Sequence, residues 1–288
     1  MTPISAFFEL VVVALRNATP LVWCGLGILL AERAGVMNIG AEGMMLAGAF
    51  VGGIAAIFSQ SGIVGIACAM VIGGILGAML AGLTVLLPGD QIIAGLALNY
   101  IVLGFTSFAS KLLPGAGAGL RTPSIGFWVF LMAAVIFATG LWFLLFKTRT
   151  GLCLRALGEN AYVVYTIGFS PHKQRLQILI ISGILCGFAG SSLTLGWLKS
   201  IADNITLGRG FIALAAVYLG RWHPLGLLLA CVLFGLGEAV VFRYSHRIGI
   251  INEFYFMMFP YLLSFIVVAL FKKGAGPADV GKPFVLSK

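Results

Sequence analysis

The sequence predicts an all-α, polytopic transmembrane bundle of about eight or nine spans. Of its 288 residues, 60% are hydrophobic and 9% are charged, and the mean hydropathy is +1.09. In soluble domains about a quarter of the residues are charged, so this composition excludes a soluble protein. Apolar runs of about 20 residues, the length that a helix needs to cross a bilayer, recur along the chain. We therefore expect one transmembrane domain over 1–288.

Eight apolar runs are long enough to cross the membrane. In chain order they are 7–30, 38–58, 63–87, 92–110, 127–146, 176–198, 224–242 and 254–271. A ninth run, 210–219, is too short to span as a straight helix. It is expected to be a half-helix buried against its neighbours, as broken helices are in transporters. Counting it as a crossing gives nine.

Basic residues lie at the ends of these spans, as the positive-inside rule predicts for cytoplasmic loops. The central basic residues are Lys147, Arg149, Arg155, Lys173 and Arg175, and the C-terminal ones are Lys272, Lys273, Lys282 and Lys288. Both regions are therefore expected in the cytoplasm. If 210–219 is a crossing, as we prefer, the N-terminus lies outside; if it is re-entrant, both regions can be cytoplasmic only when another span is split. Anionic lipid headgroups are sufficient partners for the net charge of +9, and no nucleic acid is expected.

The chain lacks the motifs of an enzyme or a motor. Its one Gly-Lys pair, Gly281–Lys282, is followed by proline, so there is no Gly-x-x-x-x-Gly-Lys-Ser/Thr phosphate loop. No cluster of His, Asp or Glu suggests catalysis. The five cysteines form no Cys-x-x-Cys motif, and three scattered histidines lack zinc-ligand spacing. We expect no cofactor or metal on this chain.

An ion-coupled carrier would need titratable groups within the membrane. Glu42 and Glu238 are the acidic residues that lie well inside apolar stretches. Two isolated carboxylates make a thin proton relay. A passive pore whose energy arrives from outside is therefore favoured, and an ion-coupled secondary transporter remains the alternative.

The loop 147–175, KTRTGLCLRALGENAYVVYTIGFSPHKQR, is basic and polar between two spans. Residues 152–168 are predicted to form a short helix along the membrane face, with Gly158 and Gly168 as breaks and Ser170-Pro171 as the stop. Glu159 and Asn160 would point outward. The apolar docking face would consist of Tyr162, Val163 and Tyr165. Such a helix transmits motion from a soluble motor, or else it rests on lipid. The residues alone favour neither.

Three blocks resemble the permeases of ABC importers of the branched-chain amino acid, ribose and nucleoside group. They are GLCLRALGENAYVVYTIGFSPHKQR (151–175), LAERAGVMNIGAEGMMLAGAF (30–50) and GRGFIALAAVYLGRWHPLG (208–226). Their order and the order of the spans match over nearly the whole chain. Within the group, the chain is similar to the second, shorter permease of basic-membrane-protein-type importers, which carry purine nucleosides. Ala161 stands where the group usually has proline.

The resemblance implies a set of partners and a coupling role for the loop. The implied partners are an ABC ATPase that binds ATP and Mg²⁺, a second and non-identical permease, and an extracytoplasmic substrate-binding lipoprotein. The implied location is the inner, cytoplasmic membrane. ATP hydrolysis would belong to the ATPase, so this chain would not itself be an enzyme. The implied coupling residues are Arg155, Gly158, Glu159, Asn160, Ala161, Tyr165 and Gly168.

Five polar residues inside the spans are candidates for the solute path. They are Asn38, Glu42, Asn99, Tyr100 and Glu238. Asn38 and Glu42 are four apart and would share a helix face. For four of them a structural role competes. Glu42 would tie down a broken helix by meeting Arg33 or free backbone amides, Asn99 and Tyr100 would bond between helices, and Glu238 would pair with Arg209 or Arg243.

The resulting functional hypothesis is import by alternating access in a permease heterodimer. Purine nucleosides such as guanosine are the first expected substrates. Simple sugars of the ribose or galactose type, or other small polar solutes, are the alternative within the class.

Overall fold

The computed structural model describes residues 3–87, 89–112, 120–248, 262 and 276–282, which are mostly helical. The helices are α1 (Pro3–Arg33), α2 (Ala41–Ser59), α3 (Gly62–Ala81), α4 (Gln91–Leu112), α5 (Phe127–Lys147), α6 (Arg149–Glu159), α7 (Ala161–Thr166), α8 (Pro171–Ser191), α9 (Arg209–Leu219) and α10 (Pro224–Ile248). Wider π-helical turns, Gly82–Leu86 and Ser192–Leu198, extend α3 and α8. Two short strands, β1 (Leu120–Arg121) and β2 (Ser200–Ile201), pair antiparallel.

Seven of the described helices are long and apolar enough to cross a membrane. They match seven of the eight predicted spans to within a few residues. The all-α polytopic class is therefore confirmed. The eighth predicted span, 254–271, lies outside the described residues, and the total of nine crossings stays a prediction.

Helices α1, α2 and α8 form the centre of the bundle. About three quarters of each apolar span is buried there, against 28% in α4 and α5. The buried side chains of the centre include Leu26, Met45 and Leu179. Helices α3, α4 and α5 lie at the periphery, where many of their apolar side chains are exposed.

Close packing of α8 on α2 and α3 depends on glycine. A Cβ added to Gly73 would collide with the carbonyl oxygen of Gly183, and one on Gly48 would collide with Gly187. The added methyl of an alanine would therefore push the helices apart. The small-xxx-small pairs Gly48/Gly52, Gly73/Gly77 and Gly183/Gly187 act as packing faces, as such spacing predicts.

The segment 201–222 crosses the bundle as a broken element. Ile201 packs beside Gly53, near the end of α2. The carbonyl oxygen of Trp222 accepts two hydrogen bonds from Arg33 at the end of α1, at 2.7 and 2.9 Å. Between them, an irregular half precedes the 11-residue helix α9, which is about 16 Å long. The predicted half-helix is confirmed, and it completes a crossing only together with the residues before it.

The segment 276–282 lies against α6 and the start of α8. Arg175 of α8 donates to the Lys282 carbonyl at 2.9 Å, and Asp279 donates its amide to the Gly158 carbonyl at 2.9 Å. The central basic loop and Lys282 therefore lie at the same end of the bundle. The positive-inside rule predicted this arrangement.

Candidate coupling surface and solute cavity

The coupling loop begins at a tight elbow between α5 and α6. Thr148 caps α6, its hydroxyl accepting from the Gly151 amide at 3.2 Å. A Cβ on Gly151 would collide with the Leu144 carbonyl and the Leu145 backbone. Glycine therefore lets α6 fold back directly against the end of α5, which fixes the angle between the two helices.

The predicted single helix over 152–168 is wrong, because the structure has two. Asn160 separates α6 from α7 in an extended conformation, with φ −158° and ψ 104°. Its side-chain oxygen accepts from the amides of Tyr162 at 3.0 Å and Val163 at 3.4 Å, which caps α7. Asparagine is a favoured N-cap residue, so this signal was present in the sequence.

The two predicted glycine breaks have different outcomes. Gly168 follows α7 with φ +90°, a backbone that glycine adopts without strain, so the chain does break there. Gly158 lies within α6 and does not interrupt it. Instead, a Cβ at Gly158 would collide with the Arg33 carbonyl oxygen. Gly158 therefore permits contact between α6 and the end of α1.

Helix α7 presents an exposed apolar face. Ala161 and Val164 are buried, which turns the other side outward. Tyr162, Val163 and Tyr165 are each about half exposed, and Ile167 and Phe169 continue the patch. We name Tyr162, Val163, Tyr165, Ile167 and Phe169 the docking face. Contiguous exposed apolar residues of this kind mark interaction surfaces.

Arg155 points away from the docking face. Its guanidinium lies 4.9 Å from the centre of the Phe146 ring, and Arg33 lies 5.8 Å from the same ring. His223 packs on that ring as well, at 5.0 Å. Burial and the nearby Arg33 charge lower the pKa of His223. Arg155 thus joins α6 to the ends of α1 and α5.

Glu42 caps the buried N-terminus of α9. Its Oε2 accepts from the Gly210 amide at 2.6 Å, and its Oε1 accepts from the Gly208 amide at 2.9 Å and from the Thr206 hydroxyl at 2.6 Å. The positive end of the helix dipole favours a carboxylate there. Hydrogen bonds of Glu42 to free backbone amides are what we expected if Glu42 ties down a broken helix.

A cavity of about 180 Å³ lies beside this cap. Three predicted path residues, Glu42, Asn99 and Tyr100, line it together with Asn204 and Phe211. The Asn99 amide is used by backbone, since it accepts from Gly43 at 2.8 Å and donates to Ile39 at 2.9 Å. Tyr100, 71% exposed, lies at the open side.

The other two predicted path residues lie elsewhere. Asn38 is in the turn before α2, not in the helix, so the expected shared face with Glu42 is wrong. The Asn38 amide donates to the Ser182 hydroxyl at 2.8 Å. Glu238 forms a buried ion pair with Arg209 at 3.3 Å, and that guanidinium stacks 4.5 Å from the centre of the Trp197 ring.

Several residues of these sites were not singled out from the sequence. Thr206 and Gly210 complete the Glu42 cap, and Asp279 binds the junction of α6 and α7. Gly-Arg-Gly at 208–210 was visible as part of a motif, but it did not indicate a carboxylate partner. No local pattern predicts the contact of Asp279, which is 118 residues from its partner.

Among the described residues, no group of three His, Cys, Asp or Glu side chains could hold a metal ion. The apolar helices, the broken element 201–222 and the glycine-packed centre define a polytopic, helical membrane protein that carries the exposed docking face at one end. The chain belongs to the family described as "Branched-chain amino acid transport system / permease component", whose model matches residues 10–268. It is therefore a permease subunit of an ABC transporter.

Three relatives illustrate what the chain is similar to. It is 31% identical to the nucleoside ABC transporter permease NupC of Lactococcus lactis, covering 94% of this chain and 95% of that protein. It is 30% identical to the guanosine permease NupQ of Bacillus subtilis, with 94% of each chain covered. It is also 33% identical to TsgC13 of Haloferax volcanii, named a putative glucose permease, covering 79% and 75%.

Proposed function

We propose that this chain is one of two permease subunits of an ATP-driven importer for purine nucleosides such as guanosine. The observation that carries the substrate is the similarity, over nearly the full length of both chains, to relatives named for nucleosides and guanosine. We infer from this similarity that the chain transports the same class of solute as those relatives are named for. Solute would pass by alternating access between this permease and a second, non-identical one.

The remaining subunits follow from the same proposal. An ABC ATPase would bind the docking face, and ATP and Mg²⁺ would lie on that subunit, with no cofactor on this chain. An extracytoplasmic lipoprotein would deliver solute, and the complex would reside in the cytoplasmic membrane. The exposed aromatic residues of α7, held on a helix capped by Asn160, support the ATPase contact. A rigid, apolar patch is suited to a protein partner.

The cavity beside Glu42 has the chemistry of a transient nucleoside contact. Tyr100 and Phe211 offer aromatic surface on which a purine could stack, and Asn204 adds a polar group. At about 180 Å³ the space is small for a whole nucleoside. Such a space suits a weak, transient contact with a passing solute better than a high-affinity binding site. Selectivity would then reside in the lipoprotein.

Sugar import is the second candidate, and the similarity to TsgC13 favours it. Ribose and glucose share the hydroxyl groups of a nucleoside but lack the base. The aromatic lining supports the nucleoside, because a simple sugar gains less from Tyr100 and Phe211. An ion-coupled mechanism has weaker support, since the Glu42 carboxylate is already bound to two amides and a hydroxyl.

Uptake of labelled guanosine, ribose, glucose and leucine tests the proposal in cells with and without the gene. Each solute is measured with and without a protonophore, at maintained ATP. Gene-dependent guanosine uptake that survives the protonophore is the expected result. If the gene affects uptake of only ribose, glucose or leucine, that solute replaces guanosine as the substrate. The assignment to ATP-driven importers would then still hold. Uptake that collapses with the proton gradient at constant ATP would overturn ATP-driven transport.

A further inference from the structure

The segment 276–282 fastens the junction of α6 and α7. The Asp279 amide donates to the Gly158 carbonyl at 2.9 Å, and its Oδ2 accepts from the Ala161 amide at 3.1 Å. The Ala278 amide donates to the Glu159 carboxylate at 3.4 Å. Three of the predicted coupling residues, Gly158, Glu159 and Ala161, thus contact a single short segment that is remote in sequence.

The same segment is attached to the transmembrane helices. Arg175 of α8 donates to the Lys282 carbonyl at 2.9 Å and to the Ala34 carbonyl at 3.3 Å. Gly281 lies beside Met37, in the connection between α1 and α2. The segment therefore touches α6, α7, α8 and the connection 34–40.

The α6–α7 junction needs such support. One extended residue, Asn160, separates the helices, and α7 has only six residues. A helix that short is not stable by itself in water. The Ala161 amide is one of the groups at a helix start that have no partner within the helix, and Asp279 supplies one.

We propose that residues 276–282 are a strap that transmits motion of α6 and α7 to α8 and to the connection 34–40, with Asp279 as its positioning residue. The inference rests on the proposed coupling role of α6 and α7. Along the main chain, one non-helical residue, Asn160, joins α6 to α7. The strap adds a second connection across Asn160, because it contacts both α6 and α7 and is bonded to α8.

The Asp279–Ala161 bond can be removed from either side. Asp279→Ala removes the acceptor. Ala161→Pro removes the donor at a helix position where proline fits, and the extended backbone of Asn160 suits a residue before proline. Asp279→Asn keeps an acceptor oxygen. Lys282→Gln is the matched control, because it removes only the exposed ion pair of Lys282 with Asp279 Oδ1, at 3.4 Å, and leaves the Asp279 Oδ2 bond to the Ala161 amide in place.

The first measurement is solute moved per ATP hydrolysed by the assembled importer in proteoliposomes, with labelled guanosine and labelled ribose. Asp279→Ala and Ala161→Pro are each expected to lower the ratio by about two- to tenfold, the equilibrium shift that one hydrogen bond supports. The double variant is expected to be no worse than either single one, since both remove the same bond. Asp279→Asn and Lys282→Gln are expected to stay close to wild type.

Two results would overturn the strap. One is an unchanged ratio in Asp279→Ala. The other is an equal fall of uptake and hydrolysis with less permease in the vesicles, which would indicate a role in folding alone.

A second measurement needs no solute and so separates the strap from the proposed substrate. Hydrogen exchange is compared before and after the ATPase is trapped with ATP and vanadate. In the wild type, we expect exchange to change both at α6–α7 and at residues 34–40. In Asp279→Ala, the change at 34–40 should be lost while that at α7 persists. Equal changes at 34–40 in both proteins would refute the strap, whichever solute the importer carries.

Discussion

The Glu42 carboxylate accepts a hydrogen bond from the Gly210 amide at 2.6 Å. This bond joins the start of α2 to the start of α9. The same carboxylate holds Gly208 and Thr206. A Cβ on Gly210 would overlap the Glu42 backbone and side chain, at 2.6 to 2.8 Å. The close approach of two helix starts inside the bundle therefore requires both a carboxylate and a glycine. This pair holds the break in the crossing 201–222.

Replacing Glu42 by alanine is expected to destabilise the permease by at least about 1.5–3 kcal/mol, the range for one hydrogen bond to a charged group. The buried amide of Gly210 and the partly buried amide of Gly208 would lose their acceptor. Glu42→Gln should cost less, because its one carbonyl oxygen can still accept. The thermal midpoint of the solubilised permease measures both effects. Glu9→Gln is the control, since Glu9 is exposed near the start of α1, and an unchanged midpoint in Glu42→Ala would contradict the cap.

Gly158→Ala is expected to lower stability by about 1–3 kcal/mol, as overpacking does. The added methyl would collide with the Arg33 carbonyl and separate α6 from the end of α1. ATP-driven uptake should fall as well, because the coupling helix would be displaced. Gly140→Ala in α5 is the matched control, since no atom of another described part of the chain lies within 4 Å of a Cβ there. Uptake and thermal midpoint equal to wild type in Gly158→Ala would show that the contact is dispensable.

The transmembrane helices were predictable from sequence because each needs about 20 apolar residues, a local property. The run 210–219 was predictable as a half-helix for the same reason. The loop 147–175 was harder: Glu159 and Asn160 are exposed, as predicted, but Asn160 also caps α7 and splits the predicted helix. An asparagine that caps a helix and one that only faces solvent look alike in sequence until the backbone conformation is known.

The candidate path was only partly predictable. Glu42, Asn99 and Tyr100 do line one cavity. Asn38 was misplaced because the helix was assumed to begin three residues early, before Gly40, and helix starts are the least certain feature of a sequence. The partners of Glu42 and Asp279 are remote in sequence, so no spacing rule reaches them.

Tyr162→Ala with Tyr165→Ala is expected to weaken binding of the ATPase by about tenfold or more, because aromatic residues dominate interface energies. Both side chains are about half exposed on α7, whereas Ala161 and Val164 hold that helix from beneath. The thermal midpoint of the variant is measured as well, so that a loss of ATPase affinity is separated from a loss of folded permease. Titration of purified ATPase onto the permease in nanodiscs measures the dissociation constant. Phe143→Ala, an equally exposed aromatic residue in α5, is the control, and unchanged ATPase affinity in the tyrosine variant would place the docking surface elsewhere.

The Arg209–Glu238 pair allows a structural role to be separated from a role in the path. Both side chains are about nine-tenths buried, so Arg209→Met would leave an uncompensated carboxylate and should cost about 3–5 kcal/mol. Arg209→Met with Glu238→Leu removes both charges and should recover most of that loss, because a buried ion pair adds little beyond what apolar residues provide. If the pair only holds α9 to α10, uptake should return together with the thermal midpoint. A double variant that is stable but does not transport would instead assign Glu238 to the solute path. Because Arg209 also stacks on Trp197, methionine is the replacement that keeps apolar contact with that ring, and Arg209→Ala should recover less in the same double variant.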